Sequence, residues 1–225
     1  MVRVFIKNGP CGAEIFFKLI GNKNSCCILR ECIKKHSVTF SELQNENKEI
    51  MNKGTLSKQL AELVNAGLLD KIRFIDEKSP RVIYRTTQKA INLEPILESI
   101  QDFHRHWVGV EGEVVADWID YTKRLLGRKW NARIIWILFV LRSVRFNELK
   151  SSIEGISFKM LAQQLHYLED EGVICRKDFN ENPPHIEYSL TDKGDALYEI
   201  LLLIAQWNSQ YGMKNGNMGT MSNIV

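Results

Sequence analysis

The sequence predicts a mainly α-helical protein with small β-hairpins, an α+β chain made of two tandem copies of one unit. Three observations carry this. A stretch of the first half recurs in the second at a fixed spacing. Leucines recur three and four residues apart within each copy. Each copy then passes into two short extended runs around a turn segment.

The repeat is the first of these. Residues 28–43, ILRECIKKHSVTFSEL, align without a gap with residues 134–149, IIWILFVLRSVRFNEL, at a spacing of 106. Both end in Phe-x-Glu-Leu, at Phe40 to Leu43 and Phe146 to Leu149. Upstream, Leu19-Ile20-Gly21 matches Leu125-Leu126-Gly127. After a one-residue shift, Leu56, Leu60, Leu63 and Gly67 correspond to Leu161, Leu165, Leu168 and Gly172. After one more, Tyr84, Thr87 and Lys89 correspond to Tyr188, Thr191 and Lys193. Single-residue shifts fall where turns are expected, and turns tolerate them.

Within each copy the leucine spacing places Leu161, Leu165 and Leu168, and likewise Leu56, Leu60 and Leu63, on one helix face. Met160 is expected in the core beside them. Lys159, Gln163 and His166 fall on the opposite side. Gly67 and Gly172 suit left-handed C-terminal caps. The upstream pair Phe146 and Leu149 marks a shorter helix, so each copy reads as two helices joined by a turn. Extended runs follow, residues 68–74 and 82–84 in the first copy, 173–175 and 185–190 in the second, around turns at 76–80 and 180–184. A hairpin directly after two such helices is a wing. Thr87 and Thr191 then suit N-caps of one closing helix per copy.

Residues 125–207 resemble the HxlR-type branch of the MarR-like winged helix-turn-helix transcription regulators. The matching motifs are Gly127-Arg128-Lys129-Trp130, Arg145-Phe146-Asn147-Glu148-Leu149 and residues 155–161, GISFKML. Leu165-x-x-Leu168-Glu169-x-x-Gly172 and residues 183–191, PPHIEYSLT, complete them in family order. The first copy is more divergent, with Asn24 in place of the tryptophan and Gly54 opposite Lys159.

The resemblance implies double-stranded DNA as partner, with the second helix of each pair in the major groove. By that resemblance, base-facing residues are Asn52, Lys53, Thr55 and Lys58 in the first copy and Ser157, Phe158, Lys159 and Gln163 in the second. Arg73, Arg81, Arg176, Lys177 and His185 are candidate wing contacts, and Lys71 is a further phosphate candidate. Cys11 lies nine residues before Ile20-Gly21, resembling the position of a cysteine through which some members sense oxidants or electrophiles. The alternative is an unremarkable thiol.

The resemblance also implies a dimer. Members are usually single-domain homodimers on palindromic operators, so a tandem copy points to an intramolecular pseudo-dimer, as a monomer or as a further homodimer. The helices expected to pair are about 13–20, 89–107, 114–126 and 192–211. The expected domains are 1–107 and 127–211, joined by a linker and leading helix at 108–126, with a flexible tail at 212–225.

Composition narrows the rest. The net charge of +3 divides into +5 over residues 1–107 and −2 over residues 108–225, so DNA-facing charge depends on local placement. No apolar run approaches the roughly 20 residues of a membrane span. No leader pattern opens the chain, and a cytoplasmic location is expected. The five cysteines form no Cys-x-x-Cys pair. No metal-ligand spacing, phosphate loop or nucleophile motif appears, so neither metal, cofactor nor enzymatic activity is expected, and no residue points to a particular small-molecule effector. Winged-helix protein docking and non-specific architectural DNA binding are the alternative functions.

Overall fold

The structure, a computed structural model, describes residues 12–74, 81–109 and 115–212. Cys11, the expected first-hairpin turn and the tail from 213 lie outside the described residues.

The chain divides into two compact units. One holds residues 16–122, and the other holds the described residues up to Ile15 together with those from Lys123 on. The unit boundary therefore falls inside two helices, α1 (Gly12–Ile20) and α7 (Val115–Leu126). In the first unit, Trp118 and Ile119 of α7 are buried, the Arg30 guanidinium lies over the Trp118 ring, and Tyr121 stacks on Phe103. In the other unit Gly12 lies against Asn208, so closely that a side chain at position 12 would overlap it.

After its leading helix, α1 or α7, each copy runs in the same order. The first has α2 (Lys23–Lys35), β1 (Ser37–Thr39), α3 (Phe40–Asn47), α4 (Lys53–Asn65), β2 (Leu69–Phe74), β3 (Arg81–Thr86), α5 (Gln88–Ile91) and α6 (Glu94–Val108). The second has α8 (Asn131–Leu141), β4 (Ser143–Arg145), α9 (Phe146–Ser152), α10 (Phe158–Asp170), β5 (Ile174–Asp178), β6 (Ile186–Leu190) and α11 (Asp192–Tyr211).

Both sheets are three-stranded and antiparallel, ordered β1-β3-β2 and β4-β6-β5. The short first strands lie outside the two-stranded hairpins that the sequence predicts. Each sets a buried valine opposite a buried tyrosine, Val38 across from Tyr84 and Val144 across from Tyr188. Such cross-strand pairs fix the register of strands too short to hold it otherwise.

The leucine stripes form the core as expected: Leu56, Leu60, Leu63, Leu161, Leu165 and Leu168 are all buried. Gly67 and Gly172 end α4 and α10 with φ of 69° and 68°. In each case the next residue donates back five residues, Leu68 to Leu63 at 2.9 Å and Val173 to Leu168 at 2.8 Å. That bond turns the chain sharply from helix into wing strand.

Two expectations are corrected. Met160 is 38% exposed, because the buried side of α10 begins one residue later at Leu161. The closing helix of the first copy is two helices, α5 and α6, whereas α11 runs unbroken for 20 residues. Pro95 explains the difference. It sits at the start of α6, where its missing N–H costs nothing, but a continuous helix would drive its ring into the Ile91 carbonyl.

Candidate nucleic-acid interface

Each helix pair is fixed by caps. In the first copy Thr39 caps α3: its Oγ1 accepts from the Glu42 N–H at 3.2 Å, and Glu42 Oε2 accepts from the Thr39 N–H at 2.7 Å. The Thr39 N–H, and then the Thr39 hydroxyl donating to the same oxygen at 2.8 Å, hold the Glu42 carboxyl below its ordinary range. In the second copy the Arg145 N–H donates to Glu148 Oε2 at 3.1 Å. The following helices are capped by two residues expected to face bases. Asn52 Oδ1 accepts from the Thr55 N–H at 2.9 Å, and Ser157 Oγ accepts from the Met160 N–H at 3.1 Å. Both caps are exposed, but their acceptor oxygens serve the helix.

On α10, Lys159 and Gln163 are four residues apart and exposed, so they share one face of the helix, with His166 on the same stripe. On α4, Lys58 and the half-exposed Thr55 share a face with the carboxylate of Glu62. Lys53 lies in the first turn, about 140° around the axis from Lys58. The two helices thus present different chemistry from the same scaffold position.

Phe158 opens α10 and is 61% exposed. Its ring stacks on Phe146 of α9 with centroids 6.1 Å apart and planes 16° from parallel. The Lys150 ammonium lies 5.2 Å from its centroid. At the equivalent place the first copy has Lys53.

The wings differ more. The first carries exposed Lys71, Arg73, Arg81 and Arg85 against Asp70 on β2 and β3. In the second, Arg176 lies 3.5 Å from Asp178, and Lys177 lies over the Phe179 ring at 4.7 Å. His185 is held among carboxylates: Nδ1 is 2.9 Å from Glu181, and Nε2 is 2.7 Å from Glu187. Arg145 reaches the same ring at 3.0 Å, Phe179 stacks on it at 4.3 Å, and the Ser143 hydroxyl donates to Glu187 at 2.6 Å.

Hydrogen bonds to Glu187 and then Glu181 raise the His185 pKa above its ordinary 6.5. Bonds from Ser143 and then His185 hold Glu187 below its ordinary range. The carboxylates keep the imidazole charged to higher pH but also offset that charge. Ser143, Arg145 and Glu181 join this cluster across more than one element, and no local sequence pattern pairs them.

Among the remaining thiols, Cys26 and Cys32 are buried, which pushes both pKa values up to about 12. Cys175 on β5 is exposed.

Comparison with known proteins agrees with this architecture. The sequence pattern of the family described as HxlR-like helix-turn-helix matches twice, over residues 19–111 and 125–216. A Fusobacterium mortiferum protein that carries the regulatory-protein name MalR is 45% identical over 92 residues, 41% of this chain and 87% of that one. An uncharacterized HTH-type transcriptional regulator of Halalkalibacterium halodurans is 43% identical over 97 residues, 43% of this chain and 82% of its own. Among solved structures, the reduced form of the Bacillus subtilis transcriptional regulator YodB is 33% identical. It covers 44% of this chain and 97% of its own, at a TM-score of 0.41. With two matches to one family, each over a helix pair and its wing, the chain belongs to the HxlR-like helix-turn-helix family and carries that family's domain twice.

Proposed function

We propose that this chain is a sequence-specific transcription regulator that binds double-stranded DNA with α4 and α10 in the major groove, the two copies serving as the two halves of one pseudo-dimeric reader. The observation that carries the reading is the exposed stripe of Lys159 and Gln163 on α10, on a capped helix directly followed by a hairpin. Lysine and glutamine offer hydrogen bonds to guanine and adenine edges. The four exposed cations of the first wing supply phosphate contacts that position without specifying. Lys53, Thr55 and Lys58 would read the other half-site, and Arg176, Lys177 and His185 the flanking backbone. Because the copies differ, the preferred operator is asymmetric.

The test is titration of the full chain into labelled duplex from the region upstream of its own gene, beside a scrambled duplex of equal length, at several salt concentrations. Tight binding to the native duplex alone, weakening steeply with salt, supports the reading. Equal binding to both duplexes favours an architectural role. No binding to either at low salt favours a protein-docking role and sinks the proposal.

A further inference from the structure

The stacked pair of Phe146 and Phe158 is left over by the hydrogen-bonding reading of α10. The Phe158 ring is 61% exposed, yet it is held in a set orientation. Phe146 supports it from α9, nearly parallel, and the Lys150 ammonium lies 5.2 Å from its centroid. Such support reduces the rotamer freedom that binding would otherwise have to freeze.

The ring also sits in a particular place. Phe158 is the first residue of α10, one position before Lys159, at the end of the helix that enters the groove if the chain binds DNA as proposed above. In the major groove one group is apolar, the 5-methyl of thymine, and an aromatic side chain is suited to contact it. Two cations lie near it, exposed Lys159 next on α10 and half-exposed Lys150 on α9, and would hold neighbouring phosphates or base edges while the ring meets the methyl.

We propose that Phe158, oriented by Phe146, reads the 5-methyl group of a thymine in the half-site bound by the second copy. The first copy has no counterpart, since Lys53 occupies the position, so the methyl is read in one half-site only. This rests on the DNA-binding reading and adds the identity of one base to it.

The experiment separates the two claims. Random-sequence duplexes of about 40 base pairs, several helical turns, are enriched for binding to the full chain. The enriched duplex is then synthesised with each thymine replaced by uracil, one at a time. Uracil keeps every hydrogen-bonding group and lacks only the methyl. The expected result is one thymine, in one half of the site, at which uracil weakens binding about fourfold, the effect of one methyl-sized apolar contact. Phe158→Ala should bind the thymine duplex as weakly as the parent binds the uracil one, and should no longer distinguish the two. If no thymine shows the effect, or if Phe158→Ala still discriminates, the assignment of Phe158 is wrong while DNA recognition stands. If no duplex is enriched at all, the DNA-binding reading fails and takes this inference with it.

Discussion

The Thr191 hydroxyl lies 2.7 Å from the Gly172 carbonyl, and its oxygen also accepts from the Gly194 N–H at 3.2 Å. One side chain thus ties the end of α10 to the start of α11. Thr87 repeats the arrangement in the first copy, 2.8 Å from the Gly67 carbonyl and accepting from the Ala90 N–H at 3.3 Å. A lysine two residues on completes each joint. Lys193 donates to the Glu171 carbonyl at 2.6 Å and Lys89 to the Ala66 carbonyl at 2.8 Å. Cations there also meet the negative end of the helix dipole. Thr191→Ala and Thr87→Ala should each lower stability by about 1–2 kcal/mol, the usual effect of removing an N-cap. Urea denaturation checks this, and an unchanged midpoint would refute the joint.

Gly194 lies inside α11, where alanine is intrinsically the better residue by about 1 kcal/mol. Here the close approach of the Val173 carbonyl decides the sign. A Cβ at 194 would lie 2.3 Å from that backbone oxygen and 3.0 Å from Leu190. Gly194→Ala should therefore destabilise by about 1–3 kcal/mol, as overpacking does. A higher melting temperature in the variant would show that α11 shifts at little cost.

The His185 cluster makes a pH-dependent contribution whose sign follows from its two partners. His185 has its pKa raised on folding, so its contribution is full below its ordinary 6.5 and is lost as pH rises through the raised value. Glu187 has its pKa lowered, so its contribution is full above its ordinary 4.5 and is lost as pH falls through the lowered value. The stabilisation should therefore be complete between pH 4.5 and 6.5. His185→Gln should flatten the fall in stability on the alkaline side of that window and leave stability at higher pH little changed. Denaturation midpoints of both proteins across pH would reveal it, and parallel curves would rule it out.

Salt dependence separates positioning from reading. Arg73→Ala and Arg81→Ala should each weaken binding to all duplexes alike and lower the salt slope by about one. Lys159→Ala should instead cost about 1–3 kcal/mol at one base-pair position and relax preference there. A uniform loss from Lys159→Ala would move that residue to the phosphates.

The thiols give a check that needs no DNA. With pKa values near 12, Cys26 and Cys32 are almost wholly protonated at neutral pH and buried as well. Alkylation of the native chain should spare both and modify exposed Cys175, while unfolding should release all of them. Fast labelling of Cys26 in the native chain would mean that α2 opens far more readily than its packing implies.

The parts of this fold governed by short periods were legible in the sequence. The leucine stripes, the glycine caps and the threonine N-caps each depend on residues within one helical turn. Three features were not. Strands β1 and β4 span three residues each, too few to show alternation, and exist because Val38 and Val144 find Tyr84 and Tyr188 some 45 residues away. The break between α5 and α6 was signalled by Pro95 but masked by the apolar spacing that runs through it. The His185 cluster joins β4, the second hairpin turn and β6, so no local sequence pattern shows which carboxylates surround the ring. Among the base-facing candidates, the cap roles of Asn52 and Ser157 were likewise not read from the sequence.

Phe158 and Lys53 hold the same scaffold position under separate codons. In an assembly of identical subunits, any substitution at that position arrives twice, and both halves of a target must change together to follow it. Here a single codon change alters one helix and leaves its sibling as it was. On the proposed reading, each helix can thus drift one base at a time while the other keeps its hold, so a new target lies within reach of single mutational steps.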